Sequence, residues 1–297
     1  MQLQKAERQQ VKLRIGISGA SGFGKTYSAL LLAYGITNDY SKIAVIDTEN
    51  GSASLYAHLG GFNVINLNGP YPPENYIKAI ELCEKSGIQV IVIDSVSHEW
   101  NGVGGCLEIH EKLGGRFQDW GKVSPRHQAF IDKILQSSCH IITTTRRKVD
   151  YSMETESNGK TKVVKLGTKE ITREGFEYEL TVNLELINDN HLAKASKDRT
   201  GLFMNKPEFV INSATGKKLI AWCNEGIDLK YVMDQIEVCT TIEGLRHIYQ
   251  KYPNLQSSLL EKVMKRKEEL EEVKGVIVPK NQVIKSKIVE SHGTTAD

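Results

Sequence analysis

The residue pattern with the clearest chemical meaning is GASGFGKT at residues 19–26, which has the spacing GxxxxGK[ST]. It follows the apolar run KLRIGISG and precedes KTYSALLLAYGI, so a strand should lead into it and a helix should follow it. Glycines in such a turn let successive backbone N–H groups point at phosphate oxygens, and the helix N-terminus adds its positive dipole. The pattern predicts a phosphate-binding loop in which Lys25 reaches the β- and γ-phosphates and Thr26 offers its hydroxyl to Mg²⁺. The candidate nucleotide-binding residues are Gly19, Ala20, Ser21, Gly22, Phe23, Gly24, Lys25, Thr26 and Tyr27.

Acidic residues at strand ends are the expected partners of this loop. Asp94 ends the apolar run VIVIDS, where a carboxylate is costly unless it meets a cation or hydrogen-bond donors. Beside a phosphate-binding loop that cation is Mg²⁺, so Thr26 and Asp94 are the predicted metal-binding residues. Glu49, in VIDTENGSASLY, and Glu99, in DSVSHEW, also follow strand ends, and both are candidates for a general base. Spacing alone does not choose between these two glutamates.

The segments that position these residues alternate between strands and helices. The runs KIAVIDTEN, IQVIVIDS and CHIITTT predict strands, and PENYIKAIELCEKSG and SPRHQAFIDKILQS predict helices. Uniformly apolar strands that alternate with helices indicate an α/β fold with a mostly parallel central sheet. VDYSMETESNGKTKVVKL predicts an antiparallel hairpin turning at Asn158-Gly159, and EYELTVNLELINDNHLAKASK predicts further antiparallel strands. We therefore predict a core at residues 1–225, a C-terminal helical region at 226–275 and a flexible tail at 276–297.

The composition bounds the class of protein. It is 40% hydrophobic and 25% charged, with a net charge of +2, as in an ordinary soluble protein. This balance excludes a histone-like polycation, so contact with nucleic acid requires a local basic patch. The five cysteines are scattered and form no CxxC pair, which indicates a reducing compartment without a zinc site or disulfide framework. No apolar run approaches the roughly 18 residues of a membrane span, so we expect a cytoplasmic protein without membrane contact.

The segments KIAVIDTENGSASLYAHLG and VIVIDS resemble the corresponding segments of the bacterial RecA recombinases. The order of elements is similar over about residues 12–225, although clear identity is confined to these motifs. The resemblance implies a RecA-like P-loop NTPase core with ATP and Mg²⁺ as ligands. It further implies that Glu49 polarises the attacking water, that Tyr56 stacks on adenine and that Asp94 holds the magnesium.

Three further stretches, DSVSHEW, TREGFEYE and SKDRTG, are similar to those of phage-encoded, AAA-family RecA-core ATPases associated with single-strand annealing. In RecA and KaiC relatives, two basic residues spaced like Lys197 and Arg199 project onto the γ-phosphate of a neighbouring subunit. There they stabilise the charge that develops in the transition state. The resemblance therefore implies catalytic roles for Lys197 and Arg199 beside Lys25 and Glu49, and assembly into a ring or filament.

The loop that follows the strand CHIITTTRR is where RecA relatives contact single-stranded DNA. Here residues 146–173 contain eight basic and four acidic side chains, a composition suited to tracking a phosphate backbone. An exposed hairpin with internal salt bridges is the structural alternative. The predicted DNA contacts are Arg146, Arg147, Lys148, Lys160 and Lys162.

These inferences predict a Mg²⁺-dependent ATPase that acts on single-stranded DNA in phage recombination or annealing, in the host cell cytoplasm. Its expected partners are the DNA, further copies of the chain and a single-strand-binding protein. The alternative is a KaiC-like oligomeric ATPase switch that regulates a protein partner without DNA. A small-molecule P-loop kinase ranks third, because its arginine-rich lid has no counterpart in this lysine-rich insertion.

Overall fold

The computed structural model describes residues 11–155, 161–224, 229–252 and 255–276, with side chains outside residues 151–166 and 272–276. The strands in these ranges are β1 (Arg14–Gly19), β2 (Ile43–Asp47), β3 (Asn63–Asn66), β4 (Val90–Asp94), β5 (His140–Thr155), β6 (Thr161–Glu170), β7 (Val182–Leu186), β8 (Leu192–Asp198) and β9 (Phe209–Val210).

The α-helices of the same ranges are α1 (Lys25–Thr37), α2 (Pro73–Lys85), α3 (Ser97–Asn101), α4 (Cys106–Lys112), α5 (Trp120–Gln136), α6 (Phe176–Glu179), α7 (Ser213–Asn224), α8 (Leu229–Val238), α9 (Ile242–Lys251) and α10 (Gln256–Val276). Short 3-10 helices cover Tyr40–Lys42, Ser52–Leu59 and Phe117–Asp119. None of the helices in the described ranges combines the length and apolar character needed to span a membrane.

The sheet has the strand order β3-β2-β4-β5-β1-β7-β8-β9, with β6 paired to β5 outside this path. Every pair from β3 to β7 is parallel, whereas β8 and β9 extend the sheet antiparallel. The predicted α/β fold with a mostly parallel sheet, an antiparallel hairpin and C-terminal helices is therefore confirmed. Because parallel strands end at the same edge, the ends of β1, β2 and β4 meet where ligands bind in such folds.

Apolar side chains bury both faces of the sheet. Along β4, Val92 belongs to the core under α1 and α7, whereas Ile91 and Ile93 belong to the core under α2 and α5. Since consecutive strand residues point to opposite faces, a strand covered on both sides must be apolar throughout. This is the physical reason that the run VIVID is uninterrupted.

Strand β5 reaches beyond the sheet, and its outer part pairs with β6 as an antiparallel hairpin from Arg147↔Glu170 to Thr155↔Thr161. The predicted turn at Asn158-Gly159 and the predicted DNA contact Lys160 lie outside the described residues. Lys162 lies on β6, but its side chain is outside the described set.

The chain divides into two compact units, Met1–Ile227 and Asp228–Asp297. In the second unit, α8, α9 and α10 contact one another, and Val232, Ile236, Leu245 and Leu259 are buried. The predicted domain boundaries stay a prediction, and the predicted tail lies almost wholly outside the described residues.

Candidate active site

The turn between β1 and α1 has the conformation that its glycines permit. Gly22 and Gly24 have φ angles of +84° and +86°, in the left-handed region that favours glycine. A side chain on Gly24 would also collide with His191, because an added Cβ would lie 2.9 Å from its Nδ1. His191 lies between β7 and β8, and its Nδ1–H donates to the carbonyl oxygen of Phe23 over 2.8 Å. A residue far away in sequence thus supports the loop, and only the pairing of β7 with β1 reveals it.

Lys25 folds back onto its own loop. Its Nζ donates to the carbonyl oxygen of Ala20 over 2.9 Å. Burial lowers the pKa of Lys25, while the carboxylates of Asp94 and Glu49 act in the opposite direction. The ammonium group is therefore partly desolvated, and within the described part of the chain its one hydrogen-bond acceptor is a neutral carbonyl oxygen. An anionic phosphate oxygen would be a stronger acceptor.

These residues line a cleft of about 770 Å³, a volume typical of small-ligand sites. Its other walls come from β2, β5 and the segments around β7 to β9. The lining residues include Ser21, Gly22, Gly24, Lys25, Thr26, Tyr27, Glu49, Ser52, Tyr56, Asp94, Arg146, Arg147, His191 and Asn212.

The two predicted metal-binding residues are in direct contact. Thr26 donates its hydroxyl hydrogen to Oδ2 of Asp94 over 2.5 Å, and Thr144 donates to Oδ1. Asp94 is only 2% exposed, and this burial raises its pKa despite the two hydroxyl donors. A carboxylate beside a hydroxyl oxygen is a donor set that fits a hard divalent cation such as Mg²⁺. Cation binding would offset the desolvation of Asp94.

Glu49 lines the same cleft and is held by Arg146. The Nε of Arg146 donates to Oε1 of Glu49 over 2.8 Å, and its Nη2 donates to Oε2. Ser95 donates to Oε1 over 3.3 Å. Burial by itself would raise the pKa of Glu49, but the hydrogen bonds and charge of Arg146 outweigh it and hold the pKa below its usual range. A paired carboxylate of this kind is a poorer base than a free one.

Glu99, the other candidate base, points elsewhere. Its carboxylate is buried and contacts Nδ1 of His127 at 3.0 Å, and it accepts a hydrogen bond from Sγ of Cys106 over 3.0 Å. These partners come from α4 and α5, so their sequence spacing gave no sign of the network. The geometry therefore brings Glu49 and not Glu99 into the cleft with Lys25.

Two tyrosines lie at another part of the cleft. Tyr56 and Tyr27 have ring centroids 5.6 Å apart at an interplanar angle of 52°. Tyr27 is exposed and Tyr56 is half-buried, so ring surface is available to a planar ligand. Aromatic rings at such a position suit the stacking of a nucleobase.

Lys197 and Arg199 lie outside this cleft. Lys197 Nζ donates to the carbonyl oxygen of Glu177 over 2.7 Å, and Arg199 Nη2 donates to that of Tyr178 over 2.8 Å. Both side chains thus contact the backbone of α6 in their own chain. Their predicted action on a neighbouring subunit stays a prediction.

The predicted DNA contacts differ in their surroundings. Arg147 lies between Glu170 and Glu185, at 3.5 Å and 3.4 Å, and its side chain is mostly buried. Lys148, in contrast, is exposed at the edge of a second cleft. In this conformation Arg146 and Arg147 are both engaged by carboxylates of the protein itself.

Comparison with known proteins agrees with this geometry. No curated protein matches the chain. A family model described as "AAA domain" matches residues 11–213, from the residues before β1 to the start of α7. The match covers more than half of the chain and includes the phosphate-binding loop, Glu49 and Asp94. The chain therefore belongs to this family of AAA domains, and residues 11–213 form an AAA-type, ATP-binding P-loop ATPase domain.

Proposed function

We propose that the domain hydrolyses ATP with Mg²⁺ and that single-stranded DNA controls this hydrolysis, in phage recombination or annealing. The observation that carries the proposal is the ion pair between Glu49 and Arg146. Glu49 faces the nucleotide cleft, whereas Arg146 begins the basic segment of residues 146–173. One contact thus joins the candidate base to the candidate DNA-binding segment.

ATP binding begins with the phosphate-binding loop. Backbone N–H groups of residues 19–26 and the N-terminus of α1 would hold the phosphate chain, with the adenine on the side of Tyr27 and Tyr56. Lys25 would exchange the carbonyl oxygen of Ala20 for a phosphate oxygen, a stronger acceptor for an ammonium group.

Thr26 and Asp94 would hold Mg²⁺. When bound, the cation supplies positive charge that neutralises the phosphate oxygens. The hydroxyl hydrogen of Thr26, which now points at Asp94, would turn away so that its oxygen lone pair is available. Thr144 would continue to orient the Asp94 carboxylate from β5.

Glu49 would position the attacking water and accept its proton. The bidentate contact with Arg146 opposes this role, because it occupies both carboxylate oxygens and lowers the pKa of Glu49. A DNA phosphate offers Arg146 an alternative bidentate partner. Binding of DNA along residues 146–173 would therefore release Glu49 and accelerate hydrolysis.

Assembly supplies the remaining catalytic groups in this proposal. Lys197 and Arg199 lie away from the cleft of their own chain, where they hydrogen-bond to the backbone of α6. To serve a neighbouring subunit in a ring or filament, they would exchange these carbonyl oxygens for its phosphate oxygens. There they would stabilise charge on the γ-phosphate.

The test is ATP turnover with and without oligo-dT, at about 50 and about 200 mM salt, beside a Lys25→Ala control. Stimulation by DNA that fades at the higher salt supports the proposal, because phosphate contacts weaken steeply with salt. Turnover that depends on protein concentration but ignores DNA would contradict it. That result would favour the KaiC-like switch that acts on a protein partner.

A further inference from the structure

A second cleft, of about 1010 Å³, opens on the ATPase unit and shares few residues with the nucleotide cleft. One wall is formed by the end of α3, the 3-10 helix Phe117–Asp119 and the start of α5. The other wall is formed by β5 and by residues 169–174. Its lining includes Trp100, Phe117, Trp120, Lys148, Lys169 and Arg173.

Phe117 is the unusual residue of this cleft, because this large apolar residue is 92% exposed. Full burial of a phenylalanine side chain contributes about 1.5–3 kcal/mol to the free energy of unfolding, and the exposed Phe117 does not make this contribution. The short helix beneath it is nevertheless well fixed. The carboxylate of Asp119 accepts from the backbone N–H of Arg116 over 3.0 Å and from its Nε over 3.2 Å. Phe117 is thus held outward on an ordered turn.

Neighbouring aromatic rings anchor the same turn. The Trp120 ring is nearly parallel to His110, with centroids 4.0 Å apart, and to Trp100, with centroids 5.7 Å apart. From the opposite wall, the guanidinium carbon of Arg173 lies 6.0 Å from the Trp120 centroid. Trp120 is therefore engaged by protein groups, whereas the nearby Phe117 is exposed to solvent.

The charges at the rim favour an anionic ligand. The lining carries three basic side chains and three acidic ones, which are Lys148, Lys169, Arg173, Asp150, Glu170 and Glu174. Glu174 pairs with Lys169, and Glu170 pairs with Arg147, which is not part of the lining. Among the charged residues of the lining, Lys148 and Arg173 therefore face a single further acid, Asp150. An exposed ring beside cations matches a base together with its phosphates.

Strand β5 connects this cleft to the nucleotide cleft. Residues 144, 146 and 148 are two apart, so they share one face of the strand. Thr144 contacts Asp94, Arg146 contacts Glu49 and Lys148 lines the second cleft. The backbone N–H of Arg146 also donates to Ser97 Oγ at the start of α3, the helix that carries Trp100. A ligand in the second cleft therefore lies next to the residues that hold Glu49.

We infer that an unpaired base of single-stranded DNA stacks on Phe117, with its phosphates beside Lys148 and Arg173. The inference rests on the proposed function and assigns it a base-binding position. Stacking requires a free base face, so the cleft selects single strands over duplex DNA.

The test compares the wild type with Phe117→Ala and Phe117→Trp. Anisotropy measures binding of fluorescent oligo-dT and of an abasic strand with the same length and charge. Phe117→Ala should weaken oligo-dT binding about tenfold, because one stacked base is lost. Binding of the abasic strand should be unchanged, and Phe117→Trp should restore oligo-dT binding. Leu82→Ala, an exposed apolar residue on α2 that lines neither cleft, is the matched control.

The outcomes separate this inference from the proposed function. If the wild type binds neither strand, the proposed function fails and the base-binding position fails with it. If the wild type binds oligo-dT and Phe117→Ala binds it equally well, only the base-binding position is wrong. Equal weakening on both strands also overturns it. So does a loss of oligomer, seen by light scattering, with unchanged DNA affinity, because Phe117 then contacts a second copy of the chain.

Discussion

Replacing Arg146 by alanine should raise the rate of ATP hydrolysis in the absence of DNA. The substitution removes the bidentate partner of Glu49 and leaves the carboxylate in the cleft with Ser95 as its remaining side-chain donor. If the ion pair restrains Glu49, the variant is permanently in the state that DNA is proposed to induce. Its stimulation by DNA should then fall by the factor by which its basal rate rises.

The size of the effect follows from the exposure of the pair. Charge-assisted hydrogen bonds contribute about 1.5–3 kcal/mol where water is excluded, and exposed ion pairs about 0.2–1 kcal/mol. The Arg146 and Glu49 side chains are 44% and 23% exposed, so we assign the ion pair a stabilising free energy of about 1 kcal/mol. That free energy corresponds to about a fivefold preference for the paired state, and hence to about a fivefold rise in basal turnover.

The assay is steady-state ATP turnover of the DNA-free protein across pH. Removing Arg146 takes away the main interaction that lowers the pKa of Glu49 and leaves burial, which raises it. The acid limb of the pH–rate profile should therefore move to higher pH in Arg146→Ala. Arg146→Lys, which keeps the charge but loses the bidentate geometry, should be intermediate.

Arg126→Ala is the matched control. Arg126 binds Glu74 in the same bidentate way, at 2.6 and 2.8 Å, with side chains 38% and 44% exposed. This pair joins α5 to α2 and lines neither cleft, so its loss should leave turnover unchanged. The reasoning is refuted if Arg146→Ala lowers basal turnover towards the level of Lys25→Ala. Arg146 would then assist hydrolysis rather than restrain it.

Three other predictions concern the phosphate-binding loop, the metal-binding residues and the proposed contact between subunits. His191→Ala should raise the KM for ATP about fivefold with a smaller change in kcat. The reason is that the phosphate-binding loop loses the hydrogen bond from His191 to the carbonyl oxygen of Phe23, which contributes about 1 kcal/mol. Unchanged kinetics would show that the loop does not depend on this hydrogen bond. Asp94→Asn should lower turnover at least about 100-fold. In the wild type, the Mg²⁺ concentration required for turnover should increase as pH falls, because burial raises the Asp94 pKa and the protonated acid does not bind a cation. A Mg²⁺ titration at several pH values checks the direction of this change. Mixing Arg199→Ala with Lys25→Ala should restore turnover above that of either variant alone. The Arg199→Ala subunit would supply an intact phosphate-binding loop, and the Lys25→Ala subunit would supply Arg199. Residual rates that are strictly additive would place Arg199 outside any site shared between subunits.

The fold was predictable, and the phosphate-binding half of the site could be assigned as a prediction, because their signals are local. The spacing of residues 19–26, the flanking apolar runs and the acidic end of VIVID each lie within a few residues. Parallel strands then bring Gly19 and Asp94 to one sheet edge without further information, since such strands share a direction. Thr26 contacts Asp94 at this edge, and their binding of Mg²⁺ stays a prediction.

The remaining features depend on packing between segments distant in the chain, and only the tertiary structure decided them. Glu49 and Glu99 both follow strand ends, but Glu99 lies on α3 and turns into the layer of α4 and α5, where His127 binds it. His191 reaches the phosphate-binding loop because β7 pairs with β1. Arg146 meets Glu49 because Thr144 and Arg146 share a face of β5, next to β4 in the sheet. Sequence spacing fixes which face of an element a side chain occupies, whereas strand order and helix packing fix what that side chain meets.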